Sequence, residues 1–322
     1  MTQPKATFMD YVRIARLDHW IKNLFILPGF AVALLMLKPR PGLDARLWID
    51  LAVALLATSL ASSANYVVNE WLDARFDRFH PTKKHRPVVV SNVKFGCVMA
   101  EYAALAVAGL ALSLSINIYF ALTLAWLLAM GIVYNVEPMR TKDVPFLDVL
   151  SESVNNMIRM LLGWFVVTAD RLPPVSILLG YWMGGAFLMA AKRFSEYRMI
   201  GDPALAGNYR KSFKYYTEAS LLVSTACYAM CSTFFVGIFL LKYKIELLLS
   251  VPFLIALFCK YLAIACKEDS AAQKPEKLYR ERGLMAWCAA FVAVLVLSLM
   301  VKLPWLDVFV GIELRHLPRL VL

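Results

Sequence analysis

Residues 49–77 read IDLAVALLATSLASSANYVVNEWLDARFD. The first twenty positions form a nearly continuous apolar run. The last nine carry Asn69, Asp73 and Asp77, four residues apart. A bilayer core about 30 Å thick is crossed by about 20 apolar residues in helical form. The run therefore predicts a membrane helix. Side chains four apart lie on one helical face, so a helix extended through Asp77 presents a stripe of oxygen ligands at its polar end.

The rest of the chain has the same character. Of 322 residues, 60% are hydrophobic and 18% are charged, with a mean hydropathy of +0.61. A soluble domain is roughly half apolar and about a quarter charged, so an ordinary soluble globule is excluded. Nine candidate spans follow, at 20–37, 49–68, 95–114, 116–134, 147–168, 176–191, 217–241, 245–265 and 284–301. The expected fold is an all-α integral membrane protein of nine transmembrane helices, one domain over residues 1–322. The first span contains Pro28 and no small-residue cleavage signature follows it, so it reads as a retained helix. The third and fourth spans are separated only near Ser115, which predicts an antiparallel hairpin. The six cysteines form no C-x-x-C pair and read as small apolar residues.

The net charge is +11. Counted by side, 23 basic residues share the N-terminal side and 9 lie on the other, with Arg159 and Lys260 inside spans. The asymmetry places the N-terminus in the cytoplasm, and the expected location is the cytoplasmic (inner) membrane. Segments 69–94, 135–146, 192–216 and 266–283 then form a cytoplasmic cap.

Span five is unusually polar, with Asp148, Glu152, Asn155, Asn156 and Arg159. Ionisable groups inside a membrane are costly and face the bundle interior or a wet cavity. Asp148, Glu152, Asn155 and Arg159 share a helical face, which is expected to line such a cavity. Arg159 needs an anionic partner, either a carboxylate of its own face or a substrate.

The acidic stripe is followed by His80-Pro81-Thr82-Lys83-Lys84-His85-Arg86-Pro87. Alone, either feature reads as a solvated helix end. Together they suit a Mg²⁺-bound diphosphate, because Mg²⁺ is held by one or two carboxylates plus substrate phosphates and cations take the remaining charge. Nothing in the pattern calls for a nucleic-acid partner, and a homo-oligomer is compatible with it.

The run Ser62-Ser63-x-Asn65-Tyr66-x-x-Asn69-Glu70-x-x-Asp73-x-x-x-Asp77-x-x-His80-Pro81-x-Lys83-x-x-Arg86-Pro87 resembles the first acidic motif of the UbiA superfamily of intramembrane prenyltransferases. It is most similar to the decaprenyl-phosphate phosphoribosyltransferase branch. Arg13-x-x-Arg16-x-x-His19-Trp20-Ile21-Lys22-Asn23, Tyr134, Leu147-Asp148-Val149, Arg159 and Gly163 resemble further segments of that branch. So do Tyr216-Thr217-Glu218, Pro275-Glu-Lys-Leu, and Lys192-Arg193-Phe-Ser-Glu196, which stands where other members carry a second acidic motif. Glu70 stands where the branch has Asp. Glu152, Asn155 and Asn156 make span five more polar than the branch, and the loop with Arg140 and Lys142 is longer.

The resemblance implies Mg²⁺-dependent transfer of a 5-phosphoribosyl group from phosphoribosyl diphosphate to a polyprenyl phosphate, with release of diphosphate. Asn69, Glu70, Asp73 and Asp77 are the candidate metal ligands, and Asn69, Asp73 and Asp77 the candidate catalytic set. Lys22, Asn23, Lys83, Arg86, Arg159, Lys192 and Arg193 are candidate phosphate ligands. Arg16, Asn65, Tyr66, Tyr134, Arg140, Asp148, Glu152, Asn155 and Glu196 are expected around the cavity. Arg and Lys hold phosphate directly, so Lys192 and Arg193 suit the donor's second phosphate. Two alternatives stand beside this. A prenyltransferase using a prenyl diphosphate and an aromatic or lipid acceptor would need an acidic second motif. A phospholipid transporter or flippase would not need the Asn69, Asp73, Asp77 stripe.

Overall fold

The computed structural model describes residues 4–37, 42–79, 83–267, 270–273, 278 and 280–309. His80 and Pro81, and Pro275, Glu276 and Lys277, lie outside the described residues. The described chain is helical, with twelve α-helices: α1 (Phe8–Ile14), α2 (Leu27–Met36), α3 (Ala45–Asp77), α4 (Pro87–Val90), α5 (Phe95–Leu114), α6 (Ile118–Asn135), α7 (Leu147–Val167), α8 (Val175–Ile200), α9 (Pro203–Tyr209), α10 (Glu218–Tyr243), α11 (Val251–Ala265) and α12 (Arg282–Met300). Eight segments are long and apolar enough to cross a membrane: Phe8–Met36, Ala45–Asp77, Phe95–Leu114, Ile118–Asn135, Val175–Ile200, Glu218–Tyr243, Ile245–Ala265 and Arg282–Met300. Helix α7 has the length but not the apolarity, because of its polar face. It is nonetheless central: 13 of its 21 residues are buried, and it packs against α2, α3, α6 and α8.

Two helices run further than hydropathy alone indicates. Helix α3 has 33 residues, about 50 Å at the usual rise, beyond the thickness of a bilayer core. Asn69, Asp73 and Asp77 therefore sit on its last turns rather than in a loop. Asp44 starts this helix by accepting from the Leu47 amide at 2.9 Å. Helix α8 likewise continues past the apolar run to Ile200 and ends at Gly201 (φ 68°), a left-handed cap. The α5–α6 hairpin forms as expected, with Asn117 capping α6 through the Phe120 amide at 2.8 Å.

Between lipid-solvated helices there is little hydrophobic drive, so close packing by small residues matters. The α2–α7 crossing shows this. A Cβ at Gly29 would overlap the Met160 carbonyl, and one at Gly163 would overlap the Ile26 carbonyl. Of five buried clusters among the described residues, the two largest divide the helices. One joins α2, α3, α5, α6 and α7; the other joins α8, α9, α10, α11 and α12. Cavities run between them.

Candidate active site

The stripe on α3 faces a polar cavity of about 430 Å³, which Asn69, Asp73 and Asp77 all line. Cations from two loops reach the stripe. Lys142 Nζ lies 2.5 Å from Asp73 Oδ1, 3.4 Å from Asn69 Oδ1 and 2.8 Å from Asn135 Oδ1. Arg140 Nη2 donates to Asp73 Oδ1 at 3.1 Å. Arg86 Nη1 donates to Asp77 Oδ2 at 2.7 Å. Arg16 and Arg140 line the same cavity and both have positive φ, 53° and 25°, the kind of backbone strain that concentrates at functional sites. Lys83 donates to the Tyr209 hydroxyl. Burial pulls both loop ammonium groups down to about 8, against Asp73 for Lys142 and against Glu196 for Lys83.

Opposite, α8 supplies Lys192, Arg193 and Glu196, all lining this cavity. The two neighbouring cations differ in kind. Arg193 is a hub: it reaches Glu152 at 2.5 Å, Glu196 at 3.2 Å, Asp148 at 3.5 Å and the Tyr134 hydroxyl at 3.3 Å. Its fork is filled by protein carboxylates. Lys192 makes no hydrogen bond or close ion pair among the described residues, and it lines both the polar cavity and the next one inward.

That inner cavity, about 400 Å³, contains Lys22, Asn65, Tyr66, Asn155, Asn156 and Arg159. It shares Lys22, Tyr66, Asn69, Tyr134, Glu152 and Lys192 with the polar mouth. It shares Phe25, Asn156 and Leu188 with a third, almost wholly apolar chamber of about 410 Å³. The sequence-predicted residues thus converge, with three exceptions. Asp148 is fully buried and lines none of these cavities. It accepts from Tyr216 at 2.7 Å and Ser212 at 3.1 Å, so this shell withdraws it from the expected cavity face. Asn23, 1% exposed, is spent on Ser59, Ser62 and Arg159 and also lines none of them. Glu70 is buried and lines none of these cavities, and its Oε1 accepts no hydrogen bond among the described residues. Sequence reasoning did not single out Tyr209 and Arg210, which line the polar cavity. Their signal was an aromatic–cation pair in a cap segment, absorbed into the topology count.

No group of three His, Cys, Asp or Glu side chains able to hold a metal occurs among the described residues. The donor set is two carboxylates and an amide oxygen on one wall. That fits Mg²⁺, which needs one or two carboxylates and takes substrate phosphates and waters for the rest.

These features define a helical membrane protein whose polar, cation-rimmed mouth leads into an apolar chamber. Residues 25–280 match the UbiA prenyltransferase family, and the chain belongs to that family. Its relatives include the decaprenyl-phosphate phosphoribosyltransferase of Mycolicibacterium smegmatis, 28% identical over 68% of this chain and 66% of that protein. The protein of the same name from Corynebacterium glutamicum is 28% identical over 68% of this chain and 64% of that protein. The chain thus spans just under two thirds of the length of both. The fold matches that of a UbiA homologue from Archaeoglobus fulgidus bound to DMAPP and Mg²⁺, with TM-score 0.67 and 20% identity, over 91% of this chain and all of that one.

Proposed function

We propose that this protein is a transferase that moves a 5-phosphoribosyl group from phosphoribosyl diphosphate to a polyprenyl phosphate in the cytoplasmic membrane. Its nine helices, α7 included, cross that membrane with the N-terminus and the polar mouth in the cytoplasm. The observation that carries the reading is Lys192, a cation without a close partner among the described residues, lining the cavity of the carboxylate stripe where an allylic-diphosphate enzyme would carry a second acidic cluster. The similarity to two decaprenyl-phosphate phosphoribosyltransferases supports the same choice.

Asn69, Asp73 and Asp77 would hold Mg²⁺, which there supplies charge neutralisation of the diphosphate leaving group. The chain's own residues do the rest. Lys83, Arg86 and Lys22 surround the diphosphate. Lys192 takes the donor's second phosphate. Arg193 holds Glu152 and Tyr134 in place rather than touching substrate, and Glu152 offers negative charge to the ribosyl carbon as its bond to diphosphate loosens. The acceptor oxygen is already anionic, so no strong general base is needed.

The experiment supplies the purified protein and Mg²⁺ with phosphoribosyl diphosphate and polyprenyl phosphate in one reaction, and a prenyl diphosphate with an aromatic acceptor in another. Diphosphate release is expected only in the first. Release only in the second assigns the protein to prenyl transfer.

A further inference from the structure

The inner cavity contains a charge that the donor does not account for. Arg159 lies on α7 and is 8% exposed. Its Nε donates to Asn23 Oδ1 at 3.0 Å, Nη1 to the Asn155 carbonyl at 3.2 Å, and Nη2 to Ser62 Oγ at 3.3 Å. All three partners are neutral. Among the described residues no carboxylate lies within 4.0 Å of the guanidinium, whereas Arg86, Arg140 and Arg193 in the mouth are all paired. Each terminal nitrogen keeps one N–H without a partner among the described residues, enough donors for two oxygens of one phosphate. A buried arginine without an anion is costly in a membrane interior. Asn155 and Arg159 line the same cavity.

The position identifies the anion. Arg159 lies in the middle cavity, between the mouth with its stripe and the apolar chamber. Phe25, Asn156 and Leu188 form the common wall with the chamber. An anion seated at Arg159 therefore has room for a long hydrocarbon on one side and a reacting centre on the other. A water-soluble sugar phosphate has no use for the apolar chamber.

We infer that Arg159 is the receptor for the phosphomonoester headgroup of the lipid acceptor, separate from the cations that bind the donor. This rests on the reading of the acceptor as a polyprenyl phosphate. Asn23, Ser62 and Asn155 act as positioning residues that aim the fork. The acceptor thus carries its charge to a waiting cation, with its chain left in the apolar chamber.

The test is binding to the full-length protein in detergent micelles without donor. It compares a polyprenyl phosphate, the polyprenol of equal chain length and phosphatidic acid, for the native protein, R159Q and R159K. The native protein is expected to prefer the phosphate over the alcohol by about 10- to 100-fold, the range for hydrogen bonds to a charged group. R159Q is expected to bind both alike, R159K to keep part of the preference, and phosphoribosyl diphosphate binding to stay within about twofold. Should R159Q fail to fold, R159K carries the comparison. An undiminished preference in either folded variant, or parallel loss of donor binding, overturns the assignment. Phosphatidic acid bound as tightly as polyprenyl phosphate overturns the polyprenyl source. None of these measurements needs turnover, so a protein inactive with phosphoribosyl diphosphate still decides the role of Arg159.

Discussion

Lys142 Nζ lies 2.5 Å from Asp73 Oδ1, so the central carboxylate of the α3 stripe is already held by a cation from the loop before α7. Asp73 thus anchors that loop, and in the proposed function it is also a ligand of the metal–diphosphate. Asp73→Asn is expected to lower turnover by at least about 100-fold, the scale of losing a principal transition-state electrostatic contact. It also leaves Lys142 buried beside a neutral group, at a cost of about 1–3 kcal/mol. Asp77→Asn is expected to lower turnover similarly. Diphosphate-release kinetics and thermal unfolding in detergent check both, and undiminished turnover in the pair removes the metal assignment.

The adjacent cations of α8 should separate cleanly. Arg193→Ala takes the shared cation from Glu152, Glu196 and Asp148 and leaves a void between them. Breaking such a buried network costs about 3–5 kcal/mol, so a large drop in melting temperature is expected. Lys192→Met removes a side chain with no close partner among the described residues. Its expected signature is a raised KM for phosphoribosyl diphosphate, by about tenfold or more, with the melting temperature almost unchanged. Equal destabilisation by both would place Lys192 in the fold rather than the site.

The loop lysines make the alkaline limb informative. Lys83 and Lys142, each pulled down to about 8, are charged at pH 7 and lose that charge as pH rises through 8. Donor affinity is expected to weaken across that window. Stability moves the other way for these groups. Between the folded value near 8 and the ordinary value of 10.5, the unfolded chain binds more protons, so their contribution to stability rises with pH. K83R and K142R, which keep the charge, should each shift part of the limb upward in a KM–pH series. A limb unmoved in both contradicts the assignment.

Helix crossing should be as sensitive as the site. Gly163→Ala places a Cβ on the Ile26 carbonyl, and such overpacking costs about 1–3 kcal/mol. Gly42, whose Cβ would meet nothing within 4 Å, is the control: Gly42→Ala should leave the melting temperature in place.

How far these features could be read in advance depended on distance along the chain. The Asn69, Asp73, Asp77 stripe was legible because its spacing is local and helical. The long helices stand where apolar runs placed them. The ends of α3 and α8 were not legible, since hydropathy stops at Val68 and Ala191 while the backbone continues its hydrogen bonding to Asp77 and Ile200. The fate of each charge was the least legible. Asp148 and Glu152 share a face of α7, yet Tyr216 and Ser212, more than 60 residues away, close over the first and leave the second in the cavity. Lys192 and Arg193 are neighbours in sequence, and only the three-dimensional position of three carboxylates distinguishes them.

The central claim is that a phosphoribosyl group passes across the cavity from the stripe to a lipid phosphate. The most direct measurement supplies ribose-labelled phosphoribosyl diphosphate, Mg²⁺ and polyprenyl phosphate to the purified protein and follows the label into the lipid phase. The expected product is a lipid carrying both the ribose and its 5-phosphate, formed one for one with diphosphate and lost in Asp73→Asn. Label that stays in the aqueous phase, while a prenyl diphosphate is consumed under the same conditions, would contradict the claim.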